Sequence, residues 1–214
     1  MSAIIVFGAG GRVGRVEEAR RRGHHVTAVV RTPAGHRGLE AAGDRLAGVR
    51  LLAGDVTDAD AVAALAAGRD AAVMAAYDPG ARPEVFFPAA ARALLDGLGR
   101  ARVGRLVAVG LSAALETSDG TPLMDTPGFP REYRAFAAGH AAGTDVWRAC
   151  AGGPDWVVVS PAGDFDPTGA RTGGYRLSGA DTAARVSHGD FAIALLDEID
   201  APRHHRTHVG VVGA

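Results

Sequence analysis

The stretch "IIVFGAGGRVGRVEEARRRGHHVTAVVR", Ile4 to Arg31, decides the fold. An aliphatic run breaks into Gly8, Gly10, Gly11 and Gly14, four glycines within seven residues. A charged segment with Arg20, Arg21 and Arg22 follows, and a second aliphatic run closes at Arg31. Continuous aliphatic runs, without polar alternation, read as strands buried on both faces. Glycines placed directly after such a strand turn the chain tightly into a helix start that is bare of side chains. Strand, helix, strand is a βαβ unit, and its strands run parallel.

The same rhythm continues outward. Strands are predicted over 3–8, 25–31, 49–55, 70–77, 104–112 and 155–161, with helices over 12–22, 58–67, 84–101 and 131–151. Alternation of this kind implies a parallel sheet covered on both faces. The expected architecture is α/β, a Rossmann-type doubly wound parallel sheet with a small C-terminal substrate-side segment, residues 1–214 forming one domain. A further helix is predicted from Ser187 or His188, and "HHRTHVGVVGA" reads as a closing strand. The stretch 112–130 is a long loop with three prolines, of the length usually found in lids and binding loops. The Gly-, Asp- and Thr-rich stretch after 163 is predicted to hold a loop and a short hairpin. Segments 112–130 and 163–185 are the expected substrate-side loops.

Composition narrows the function classes. A net charge of −1 and a pI near 6.7 give no electrostatic case for nucleic acid or an anionic membrane. The longest apolar runs fall short of a membrane span. No charged segment precedes an apolar one at the start, so a cytoplasmic location is expected. The one cysteine, Cys150, reads as a small buried hydrophobe in a reducing compartment. All 23 cationic residues are arginines, which excludes chemistry that needs a catalytic ammonium. The expected partner is a small-molecule substrate; the oligomeric state is not legible.

Gly8, Gly11 and Gly14 form G-x-x-G-x-x-G, with Gly10 in addition. A pyrophosphate sits against backbone N–H groups only where no side chain intervenes. Gly8, Gly10, Gly11, Arg12, Val13 and Gly14 are therefore cofactor-binding candidates. In NAD-binding units an acidic residue ~20 residues further on holds the ribose 2′-OH. Here that role falls to Arg31, whose guanidinium matches a 2′-phosphate, so NADP(H) is the expected cofactor; a merely solvated arginine is the alternative. Arg12 would add a second cation. The helix after the glycines, "RVEEARRRG", has a thin apolar face, with Glu17 and Arg20 where aliphatics are expected.

With "VFGAGGRVG", "HHVTAVVRTP", "LLAGDVTD", "RLVAVGLS", "LMDTPGFPREY" and "DWVVVSPAGDFDPTGARTGGYRL" assembled, the chain resembles the atypical short-chain dehydrogenase/reductase superfamily over nearly its whole length. It is most similar to NAD(P)H-binding NmrA-like proteins and to flavin or biliverdin reductase-like members. The resemblance implies that Asp55 and Val56 lie beside the adenine and that Ala75, Ala76 and Tyr77 line the ribose and pyrophosphate channel. It also implies that Ser112, Ser160 and Pro161 border the nicotinamide. Asp55 reads equally as a helix cap.

Classical members of the superfamily use Tyr-x-x-x-Lys plus a Ser, and the lysine lowers the tyrosine pKa for proton transfer. Here Tyr133 is followed four residues later by Ala137. On a helix, Tyr133 and His140 share a face, and with Ser112 they are the catalytic candidates. His140 reads equally as a core-edge histidine, and Tyr133 as a packed aromatic. Phe129, Tyr133 and Phe165 are candidate walls for a substrate. His204, His205 and His208 lack a second ligand cluster, and no metal is expected. The function implied is NADPH-dependent reduction of a small aromatic, quinone-like or flavin-like molecule. The alternatives are a non-catalytic NADP-binding sensor and a non-redox epimerase, dehydratase or cyclase.

Overall fold

In chain order the strands are β1 (Ala3–Phe7), β2 (His25–Val30), β3 (Val49–Ala53), β4 (Ala71–Met74), β5 (Arg105–Val109), β6 (Asp155–Pro161), β7 (Asp164–Asp166), β8 (Tyr175–Ser178), β9 (Arg185–Ser187) and β10 (Thr207–Gly213). The helices are α1 (Glu17–Arg21), α2 (Ala59–Ala66), α3 (Pro83–Arg100), α4 (Arg131–Ala149) and α5 (His188–Asp200). The computed structural model describes residues 1–11, 16–36 and 49–214, so Arg12, Val13 and Gly14 lie outside the described residues.

The two-residue period of a strand sends Ile5 and Phe7 of β1 to one face and Ile4 and Val6 to the other, all buried. A strand buried on both faces needs helices on both, and the sheet has them. One core gathers α2, α3 and α4 around Phe87, Leu94, Leu98, Trp147 and Trp156. The other gathers α1 and α5 around Val16, Ala19, Phe191 and Leu195. The sheet order is β3-β2-β1-β4-β5-β6-β10-β8, parallel except for β8, which runs antiparallel to β10. This is the doubly wound arrangement that the alternating runs imply.

Two expectations are corrected. Strand β8 does not turn back on its neighbour to make a hairpin; it pairs with β10, while β7 pairs in parallel with β9. The reason is the buried Asp190, whose carboxylate accepts the Thr172 and Gly173 amides and the Thr172 and Ser187 hydroxyls. Those bonds hold the intervening loop onto α5. The helix expected over 12–22 covers only Glu17–Arg21 among the described residues. Its thin apolar face is compensated by charge. Glu18 is buried and accepts from Arg22 Nε at 3.1 Å and from Arg171 Nε at 3.1 Å. Burial pushes the Glu18 carboxyl upward, but the bonds from Arg171 and Arg22 outweigh it and hold the group below its ordinary range.

Candidate functional site

The carboxyl ends of β1, β2, β3 and β4 surround a cleft of about 480 Å³. Open α/β sheets bind ligands at this edge. Gly8, Gly10, Gly11, Arg31, Asp55, Val56, Ala75, Ala76 and Tyr77 all line it. Ser160 and Pro161 do not appear on its wall; both are buried in β6, and Ser160 Oγ lies 2.6 Å from His208 Nε2.

The glycines of the loop have different causes. Gly8 takes φ +86°, a conformation L side chains rarely adopt, and a Cβ there would come within 2.5 Å of the Ala75 carbonyl. A Cβ on Gly10 would lie 2.7 Å from His36 Nδ1. Packing against backbone therefore explains Gly8 without any ligand, whereas the His36 ring beside Gly10 is a side chain that can turn away. Among the described residues, a Cβ on Gly11 would meet nothing nearer than the Gly8 carbonyl oxygen at 3.5 Å, an ordinary contact. Gly11 lines the cleft with bare backbone, which fits a diphosphate.

The electrostatics of the cleft centre on Arg31. Its guanidinium pairs through Nη1 with the Asp78 carboxylate. The bond to Asp78 raises the Arg31 pKa, with Asp55 contributing at longer range, and Arg31 together with the Gly80 amide lowers that of Asp78. Asp55 does not cap the following helix, whose N-cap is Asp58 with its carboxylate accepting from Asp60 N and Ala61 N; Asp55 closes the turn before it, accepting from Thr57 N at 2.8 Å and Thr57 Oγ1 at 2.7 Å. The cleft is also lined by Thr32, His36, Asp78 and Phe86, which sequence reading missed. A signal existed for Asp78, which directly follows Tyr77. None pointed to His36, because its approach to Gly10 depends on the 3₁₀ turn Pro33–His36.

One wall is aromatic. Tyr77 is 45% exposed and meets Phe136 edge to face at 5.0 Å while lying parallel to Phe87 at 5.9 Å. Phe165, an expected wall, instead stacks on His188 at 4.6 Å and meets Phe191 edge to face.

The three catalytic candidates are placed apart, and no hydrogen bond joins them among the described residues. Ser112 opens the 3₁₀ turn Ser112–Ala114 after β5. Tyr133 stands 61% exposed near the start of α4. His140 turns inward, its ring 3.9 Å from that of Phe87, beside a void of about 20 Å³ lined also by Met74, Val109 and Trp147. Desolvation, with a smaller contribution from His208, pulls the His140 pKa down to about 4. His208 is likewise drawn to about 4, first by burial and then by Arg148. Both rings are therefore neutral at neutral pH. His204 and His205 diverge, bonding Glu198 and Asp155 at 2.7 Å each.

Comparison with known proteins accords with this geometry. A family model described as NAD(P)H-binding matches residues 8–202. The uncharacterized protein YwnB of Bacillus subtilis (strain 168) is 33% identical over 220 residues, covering 98% of this chain and 97% of that protein. A candidate epimerase from Bacteroides thetaiotaomicron superposes with a TM-score of 0.83 at 30% identity, covering 99% of this chain and 97% of the other. A candidate NADH-flavin reductase from Streptococcus pneumoniae TIGR4 gives 0.80 at 28% identity, with 100% of each chain covered. With a glycine loop, a strand-end arginine and a family match over residues 8–202, the chain belongs to the NAD(P)H-binding family.

Proposed function

We propose that the protein is an NADPH-dependent oxidoreductase that reduces a small aromatic, quinone-like or flavin-like molecule. The observation that carries the reading is the cleft itself: bare backbone at Gly11, a guanidinium at the end of β2, and an aromatic wall at Tyr77 and Phe86. The loop backbone would receive the diphosphate, and Arg31 would take the 2′-phosphate. When bound, the nicotinamide supplies a hydride. Tyr77 offers a planar acceptor a face whose position Phe87 and Phe136 hold. Ser112, in the 3₁₀ turn after β5, would hydrogen-bond such an acceptor. Flavins and quinones are electrophilic enough to accept a hydride without a strong protein acid, which suits a chain with no lysine and with His140 neutral. The resemblance to the candidate flavin reductase supports the redox reading, and that to the candidate epimerase supports the same scaffold with other chemistry.

A second reading, an NADP-binding sensor without turnover, draws on the exposure of Tyr133 and the inward turn of His140. NADPH oxidation followed with a panel of flavins and quinones separates the two. Acceptor-dependent oxidation is expected; tight binding with no oxidation across the panel selects the sensor.

A further inference from the structure

We infer that Asp78 is a cofactor-specificity determinant: its carboxylate competes with a 2′-phosphate for Arg31 and holds the preference for NADPH over NADH below what Arg31 alone would give. The inference rests on the NADPH reading of the same cleft.

Strands β2 and β4 are the two neighbours of β1 in the sheet. Arg31 follows β2, and Asp78 lies just beyond β4. Neighbouring strands are ~4.8 Å apart, so the two chain segments are separated by roughly 10 Å. A long arginine side chain and an aspartate together span that gap, and they meet over the end of β1, where the glycine loop leaves the sheet. Asp78 is fixed from its own side, because its Oδ1 accepts from Gly80 N at 2.9 Å. Its Oδ2 is thereby presented to Arg31. The raised Arg31 pKa and the lowered Asp78 pKa have the same cause, each charge being held by the other. Asp55, which also lines the cleft, adds a second negative charge acting on Arg31 at longer range.

The sign of the effect follows from charge. A 2′-phosphate must draw Arg31 from Asp78 or share it, and in either case it sits near the Asp78 carboxylate. NADH has no 2′-phosphate and makes no such demand on Arg31. Removing the carboxylate therefore helps NADPH more than NADH whether or not the bridge opens. The pair is largely solvated, with side chains 54% and 21% exposed, so the effect is modest, about two- to tenfold in relative affinity.

The test is equilibrium titration of the full chain with NADPH and with NADH, for the wild type, Asp78→Asn, Arg31→Ala and the double variant. Asparagine retains the oxygen that accepts from Gly80, and Asp78→Ser with matched thermal melting guards against a loop defect. Asp78→Asn is expected to raise the NADPH-to-NADH affinity ratio about two- to tenfold, mainly through tighter NADPH binding, and this gain should shrink when Arg31 is absent. An unchanged or lower ratio in Asp78→Asn, or an equal gain with and without Arg31, overturns the inference while leaving the NADPH reading intact. If Arg31→Ala changes neither affinity, the NADPH reading fails and the inference falls with it.

Discussion

The carboxyl edge of the sheet has two ends built on different principles. At the β1–β2–β4 end the cleft floor is bare glycine backbone, and its described cation, Arg31, is close in sequence to the glycines. At the β5–β6–β10 end the edge is made by the meeting of side chains far apart in sequence. Ser160 and His208 are 48 residues apart and share a hydrogen bond, and His140 reaches the same region from a helix. The first end, on the proposed reading, would bind by leaving room. The second is desolvated until its histidines are neutral. The contrast teaches that the proposed diphosphate seat depends on backbone and the choice of dinucleotide on the Arg31–Asp78 pair, whereas any proton-handling property depends on burial.

Gly8→Val should have the largest effect, because it places a β-branched residue at φ +86° against the Ala75 carbonyl. A loss of at least ~2 kcal/mol of stability is expected, with dinucleotide binding lost as well; a variant that melts like the wild type would break the packing account of this glycine. Acid tests the other end. The unfolded-state histidine pKa is ~6.5 and the folded values of His140 and His208 are about 4, so between those limits the unfolded chain takes up protons that the folded chain refuses. Stability should therefore fall as pH drops from 6.5 towards 4, by an amount on the order of a few kcal/mol. His140→Gln should flatten this acid arm, and a melting temperature that is level across the window in the wild type would contradict the burial argument. The carboxylates held low, Glu18 and Asp190 among them, lose their contribution at still lower pH.

Glu18→Gln removes the buried charge that ties α1 to Arg171 and Arg22 and should cost about 1–3 kcal/mol. A neutral result in urea unfolding would mean that α1 is held by its few apolar contacts alone. Gly11→Ala sharpens the comparison most finely. Stability should stay within ~0.5 kcal/mol, because no atom of the described residues is crowded. Dinucleotide affinity should fall by tenfold or more, ~1.4 kcal/mol. Loss of stability without loss of affinity would reverse the assignment.

The sheet was legible because its central strands are buried on both faces and so appear as unbroken aliphatic runs. The cofactor end was legible because its grammar is local: glycines after a strand, then a cation closing the next. Asp78 escaped notice because its role depends on β4 lying on the far side of β1 from β2, which is a fact of topology. The fit of α1 escaped for a similar reason, since Glu18 finds Arg171 from 153 residues away. The hairpin expectation failed because Asp190 gathers the preceding loop, a carboxylate whose partners no local pattern announces. The histidine cluster of the closing strand separated for the same reason, each ring meeting its own partner.

The most direct test of the account is calorimetric titration of the wild type and Gly11→Ala with NADPH. The account predicts saturable binding of one NADPH per chain in the wild type, weakened at least tenfold in the variant at unchanged melting temperature. Equal binding in both proteins, or no binding to the wild type at millimolar NADPH, would contradict it.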